Sequence, residues 1–435
     1  MLAKTKLPYP VGYSKQITLP WEEVLGASYG VEVVDGNVIS RYSIKPTTDY
    51  QSQLPLRGVW LVDGATIEWT DEGFLVARTA TDYNEISEQS YNYVQVIQLA
   101  NGVLILTELD VMWLPKGECW VDQIECAHFV KAIYHNGRCF GITGVDCKLH
   151  FSSLEDAICF DVSKGGGWIN FDERGGKCVA LAQIEGALYV FRQHSVEKIT
   201  VVADQRDFAV KSIAFACGKL YGNTVAGDGH KATFLTDWGL WSFDGKSFAR
   251  VAKHLDKCIC PNNDYAVAVC SNHGYVLHCN VRLDGGKVLC ENSTFVNNAL
   301  IVFCNGKAVV LRGWDFTHLF VSTNGNLLMS SNGQIYTLDD AETDTPRQCR
   351  VQTNFNSHKG KTVQLVTFTT CHPLTLTVHC NNTSKSYLVE ASDLPQSVFV
   401  NATGKNFTFV FASNGQMNLG EITIDYVVYK GGIAP

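Results

Sequence analysis

The side chains able to do chemistry here are sixteen cysteines, twelve histidines and a scatter of carboxylates, so their spacing decides what they can do together. The closest thiols are Cys258-Ile259-Cys260, and one C-x-C without a second pair at ligand spacing does not make a zinc site. His254 and His273 flank it at no recognisable ligand interval, so the metal-ligand set is read as none. His150, His278, His318 and His379 lie inside strand-like runs, where a hydrogen-bonded imidazole is the expected state. A glycoside hydrolase needs two convergent carboxylates, and Asp110, Glu125, Asp161 and Asp237 are the candidates. No G-x-S-x-G, P-loop, H-E-x-x-H or EF-hand pattern occurs. The run Lys164-Gly165-Gly166-Gly167-Trp168 lacks the Lys-Ser/Thr that would follow in a phosphate cradle and reads as a loop. Tyr91, Tyr93 and Trp120 could form a glycan platform, although packing between elements is the commoner fate of such rings. Sequons begin at Asn292, Asn381, Asn401 and Asn406 and read as Asn-rich loops. No catalytic residue and no cofactor-binding residue is assigned, and the chain is expected not to be an enzyme.

What positions these residues is a succession of short apolar runs separated by turn residues. GVWLVDGATIEWTDEGFLVART (58–79), VQVIQLANGVLILTELDVMWL (94–114) and IVFCNGKAVVLRG (301–313) are examples. Each run is of strand length and strand composition. Asp63-Gly64, Asn101-Gly102, Asn136-Gly137, Asp244-Gly245, Asn305-Gly306 and Asn332-Gly333 supply the positive-φ residues of tight hairpins. Helical periodicity is confined to a turn or two near Trp21–Gly26. The fold class is therefore all-β. Hairpin centres recur about every 30 to 50 residues, the length of a four-stranded propeller blade, and about six blades fit residues 31–340. Trp69, Trp113, Phe160, Tyr189, Trp241 and Trp314 recur at similar points and suit the wedge between blades.

The acidic stretch from Leu338 to Pro346 reads as a linker. Beyond it, strict alternation in LTLTVHC (374–380), FTFVFA (407–412) and EITIDYVVY (421–429) predicts a separate antiparallel β-sandwich over 346–435. Residues 1–30, with Pro8, Pro10 and Pro20, read as an extended arm. The formal net charge of −8 argues against gripping phosphates and is compatible with nucleic acid passing by. No apolar run is long enough to span a bilayer and the N-terminus has no apolar signal core, so folding in a cytosol with reduced, buried cysteines such as Cys139, Cys159, Cys270 and Cys304 is expected.

Three stretches carry a resemblance. KLHFSSLEDAICFDV (148–162) is followed by VALAQIEGALYVFRQHSVEKI (179–199), and TDWGLWSFDG (236–245) forms a recurring type of hairpin. Together these resemble tail nozzle and head–tail stabilisation (hub) proteins of short-tailed bacteriophages. In the last 90 residues, PLTLTVHC (373–380), LPQSVFV (394–400), FTFVF (407–411) and GEITIDYVVY (420–429) are similar to the strand order of the sandwich in such proteins. The resemblance implies a structural virion protein in a homohexameric ring at the end of the tail tube. Implied partners are tail adaptor or portal-associated proteins and tail fibres. Viral DNA would pass through the ring without specific binding. The place implied is the virion tail, with the host cytoplasm during assembly. No cofactor is implied. Contacts between copies are expected from the propeller rim and the N-terminal arm. A carbohydrate- or receptor-binding propeller is the alternative.

Overall fold

The computed structural model describes residues 12–18, 31–34, 37–40, 42–47, 50, 54–87, 89–154, 156–256, 259–260, 262–281, 297–312, 316–322, 324–339 and 349–429. Among them the only helical pieces are single 3-10 turns, so the chain is all-β. The weak helical stretch near Trp21–Gly26 lies outside the described residues.

Seven four-stranded antiparallel sheets form a propeller. Blade 1 comprises Leu56–Val62, Ala65–Thr70, Leu75–Arg78 and Tyr83–Glu85. Blade 2 comprises Val94–Leu99, Gly102–Thr107, Val111–Pro115 and Asp122–Gln123. Blade 3 comprises Lys131–His135, Arg138–Ile142, Lys148–Phe151 and Gly167–Asn170. Blade 4 comprises Cys178–Ile184, Ala187–Arg192, Ser195–Thr200 and Ala209–Ala214. Blade 5 comprises Ala226–Gly227, Ala232–Thr236, Gly239–Phe243 and Phe248–Arg250. Blade 6 comprises Val267–Ser271, Gly274–Val281, Asn297–Cys304 and Lys307–Arg312. Blade 7 has His318–Val321, Leu327–Ser331 and Gln334–Asp339, and takes its fourth strand, Ser43–Pro46, from the other end of the chain.

The number of blades is seven, not the six expected. A blade here takes roughly 40 residues, inside the 30-to-50 spacing of the hairpin centres, so the span holds one more than six, and the seventh is completed by a strand far away in sequence. That strand pairs Ile44 with Leu338 and Ser43 with Asp339, and Lys45 meets Asp339 at 2.6 Å.

The sequence builds the seams between blades directly. Second strands such as GVLILT (102–107) are buried on both faces, which is why they read as unbroken apolar runs. Val103 and Ile105 point to the seam with blade 1, where they meet Ile67, Trp69 and Leu75. Leu104 and Leu106 point the other way, to Phe129, Ala132 and Cys139 of the next seam. Each of the seven seams has its own core cluster. The hairpins are closed as expected by left-handed pairs at Asn136-Gly137, Asn305-Gly306 and Asn332-Gly333, where both residues have positive φ.

The remaining strands form one nine-stranded antiparallel sheet. It is dominated by two 22-residue strands, Cys349–Thr370 and Ser392–Ser413, which pair along their length with register breaks near Asn356/Lys361, Val363/Leu365 and Phe368/Thr370. One core, including Val351, Val363, Phe368, Leu376, Phe409 and Ile424, is drawn from both ends of these long strands. The sheet also takes strands from before the propeller. Gly12–Thr18 pairs with Thr423–Tyr429, and the hairpin Val31–Val34/Asn37–Ser40 joins at Asn418–Leu419. The described part of the expected N-terminal arm is thus a strand paired within its own chain, and Val31–Val34 and Asn37–Ser40 belong to this sheet instead of the propeller. The acidic linker lies mostly in 340–348, outside the described residues. No helix among the described residues is long and apolar enough to cross a membrane.

Candidate functional site

First strands contact one another in series from blade 2 to blade 7, and blade 7 contacts blade 1 in the same way, so they surround the propeller axis. Among the described residues these seven strands contain no Asp or Glu. They carry Arg57, Lys131, His135 and His318 instead. Burial pushes the Lys131 ammonium down to about 8, and its Nζ lies 5.7 Å from the Tyr93 ring centroid. Burial, helped by Arg57, pushes the His318 imidazole down to about 4, and its ring packs edge-on against Trp69 at 4.3 Å. Burial disfavours the charged form of both groups.

A cleft of about 570 Å³ lies along the seam of blades 3 and 4. Its floor is a buried ion pair, Arg192 Nη1 to Glu197 Oε1 at 3.1 Å, with both residues at most 3% exposed. Glu197 Oε1 also accepts from Ser195 Oγ at 2.6 Å and Ser212 Oγ at 3.2 Å. Arg192 donates from Nε and Nη2 to the Gly176 carbonyl at 3.0 and 2.8 Å, and from Nη2 to that of Asp172, which ties the inter-blade loop 171–177 onto blade 4. Every partner of this arginine is a fixed acceptor, so the arrangement is a clasp between blades. Arg138 in blade 3 repeats the device. Its guanidinium donates to the carbonyls of Ser152, Gly165 and Ala203 and sits between the Phe151 and Phe208 rings. A smaller cleft of about 330 Å³ between blades 6 and 7 is lined by Tyr265, His278, Asn280, Phe316 and Thr317. Tyr265 stands there 90% exposed.

Of the four candidate carboxylates, Asp110 precedes Val111–Pro115 and Glu125 follows Asp122–Gln123, at the same end of the two outer strands of blade 2, where Ile124 N donates to the Val111 carbonyl at 2.8 Å. Asp110 Oδ2 already accepts from Tyr91 Oη at 2.6 Å and Gln89 Nε2 at 3.1 Å. Asp161 caps a 3-10 turn in blade 3 by accepting from Ser163 N, and Asp237 accepts from Lys219 N at a turn of blade 5. None of the four lies on an axial strand.

The proposed aromatic platform is divided. Tyr91 is buried, Tyr93 donates to the Val130 carbonyl at 2.7 Å, and Trp120 is exposed beside Glu118. Gly166 is a glycine because a Cβ there would stand 2.5 Å from the Phe160 carbonyl carbon, a packing demand and not a phosphate cradle. Trp69 and Tyr189 fill seams as expected, while Trp314 is outside the described residues. Cys258 and Asn292 also lie outside them. Cys139 is buried, and Cys159, Cys270 and Cys304 are half-buried, all as free thiols. No cluster of three or more potential metal ligands occurs among the described residues. The arginine clasps were missed from sequence; a lone Arg at the end of an apolar strand, as in ALYVFR (187–192), was the available signal.

No protein-family model matches the chain, and no curated protein does. Several solved structures are similar in outline. The WD40 domain of Neurospora crassa Pan2 is 10% identical with a TM-score of 0.42, over 72% of this chain and 98% of that one. BamB from Moraxella catarrhalis is 12% identical with a TM-score of 0.39, over 75% and 99%. The computationally designed Ika8 protein is 8% identical with a TM-score of 0.42, over 72% and 96%. None of these likenesses is close enough to speak to function.

Proposed function

We propose that this chain is a structural protein of a short-tailed bacteriophage tail, a nozzle or hub subunit that assembles into a homohexameric ring and performs no catalysis of its own. The observation that carries the reading is the run of segments 148–162, 179–199 and 236–245. They resemble that family, and they fall in consecutive blades 3, 4 and 5 as paired strands and turns. Rigidity supports the same role: seven packed seams and buried arginine clasps make a body suited to bearing load. In this reading the nine-stranded sheet is a sandwich folded at the register breaks of its long strands, supported by the single core that both ends share. The genome conduit is the hole of the ring, outside the propeller axis. The carboxylates on turns and outer strands then keep DNA from sticking. Tail adaptor or portal-associated proteins and tail fibres are the partners, in the virion and earlier in the host cytoplasm.

The test is native mass and negative-stain imaging of the purified chain, alone and mixed with lysate of phage-infected cells. Six-fold rings or incorporation into tails are expected; a monomer that joins no particle refutes the reading. A receptor- or carbohydrate-binding role is the second reading, favoured by the exposed Tyr265, which lines one cleft with Asn280. It predicts glycan-array binding that Tyr265→Ala abolishes.

A further inference from the structure

We infer that Cys147 and Cys178 form a modification site, a reversible disulfide across the seam of blades 3 and 4, made by exchange with a low-molecular-weight disulfide of the glutathione class. Cys147 ends the loop before Lys148–Phe151 in blade 3, and Cys178 opens the first strand of blade 4. Cys178 N donates to the Asp146 carbonyl at 3.1 Å. By standard backbone geometry that places the two Cα atoms roughly 6 Å apart, inside the range a disulfide spans. The Cys147 thiol lies over the same turn, donating to the Gly176 carbonyl at 3.3 Å. Phe171 N bonds the Cys147 carbonyl at 2.9 Å, so Cys147 is held at both ends of the loop 171–177. Both cysteines are free thiols.

Their environments set the order of events. Cys147 is half-buried and reachable, whereas Cys178 is 0% exposed in the seam core and burial pushes its thiol up to about 12. The Cys147 thiolate attacks the small disulfide first, forming a mixed disulfide and releasing one small thiol. Cys178 then loses its proton and attacks the Cys147 sulfur, expelling the second small thiol. Two protein thiols are oxidised by two electrons, one small disulfide is reduced to two thiols, and the protein protons leave on them. The product fixes the wall of the larger cleft to blade 4 independently of Arg192.

The test uses the full chain incubated with oxidised glutathione, alkylated, digested without reduction and analysed by mass spectrometry. The exposed Cys371 serves as the internal reporter that the reagent reacts. A linked peptide joining Cys147 and Cys178 is expected, lost on adding excess reduced glutathione. Cys178→Ser, and Cys178→Ala as a second variant, should trap the mixed disulfide on Cys147; Cys147→Ser should leave Cys178 unmodified. Reaction at Cys371 with both seam cysteines still alkylated, or with a persistent mixed disulfide on wild-type Cys147, overturns the assignment.

Discussion

Lys361 shows what a single buried charge does to this molecule. It is 1% exposed, its Nζ lies 3.4 Å from the Phe355 ring centroid, and it donates to the Phe355 carbonyl at 3.0 Å. Burial pushes its ammonium down to about 8. Between there and the unfolded value near 10.4, the unfolded chain keeps a proton that the folded chain has shed, so stability rises with pH across that window. Below pH 8 the folded state carries the full cost, about 3 kcal/mol. Urea unfolding of Lys361→Met against wild type should show this rise vanish in the variant; parallel curves from pH 7.5 to 10.5 would contradict it. The Arg192–Glu197 clasp makes the opposite case. Glu197→Ala strands a buried guanidinium and should cost about 3–5 kcal/mol, whereas replacing both residues by apolar ones of similar volume should cost less. Denaturation midpoints of the single and double variants decide it.

At the scale of elements, the propeller is closed by four residues, Ser43–Pro46. Lys45→Pro removes the ladder donor opposite Thr337, in the register that Thr47 N to the Ile335 carbonyl at 3.0 Å fixes, and should destabilise by about 3 kcal/mol. Hydrogen exchange should show Gln334–Asp339 losing protection while Cys178–Ile184 keeps it. Equal loss in both strands would mean that the ring opens only as a whole. Gly141→Ala is a packing test, because its Cβ would stand 2.6 Å from the Phe129 ring. A loss of about 1–3 kcal/mol is expected from calorimetry.

Strands and hairpins were legible because their signals are local: Asn-Gly pairs and apolar runs of strand length. The number of blades was not, since Ser43–Pro46 and Asp339 are nearly three hundred residues apart and nothing local marks the pairing. Likewise the alternation in Gly12–Thr18 does not reveal Thr423–Tyr429 as its partner. The candidate site was less legible still. Clasps such as Arg138 acquire meaning from carbonyls in distant loops, and the cysteine pair from a turn that brings 147 to 178.

For the whole molecule, the chain leaves the nine-stranded sheet at Ser40, completes the propeller and returns to the same sheet at Cys349. Both ends of the propeller are therefore anchored in one sheet, which should resist fraying of the closing blade. Around the propeller axis, the described first strands carry no Asp or Glu. The measurement that tests this account most directly is the native mass of the purified chain, read with negative-stain images after mixing with infected-cell lysate. Six-copy rings or labelled tails are the predicted result. A monomer at every concentration, absent from all particles, would contradict the account.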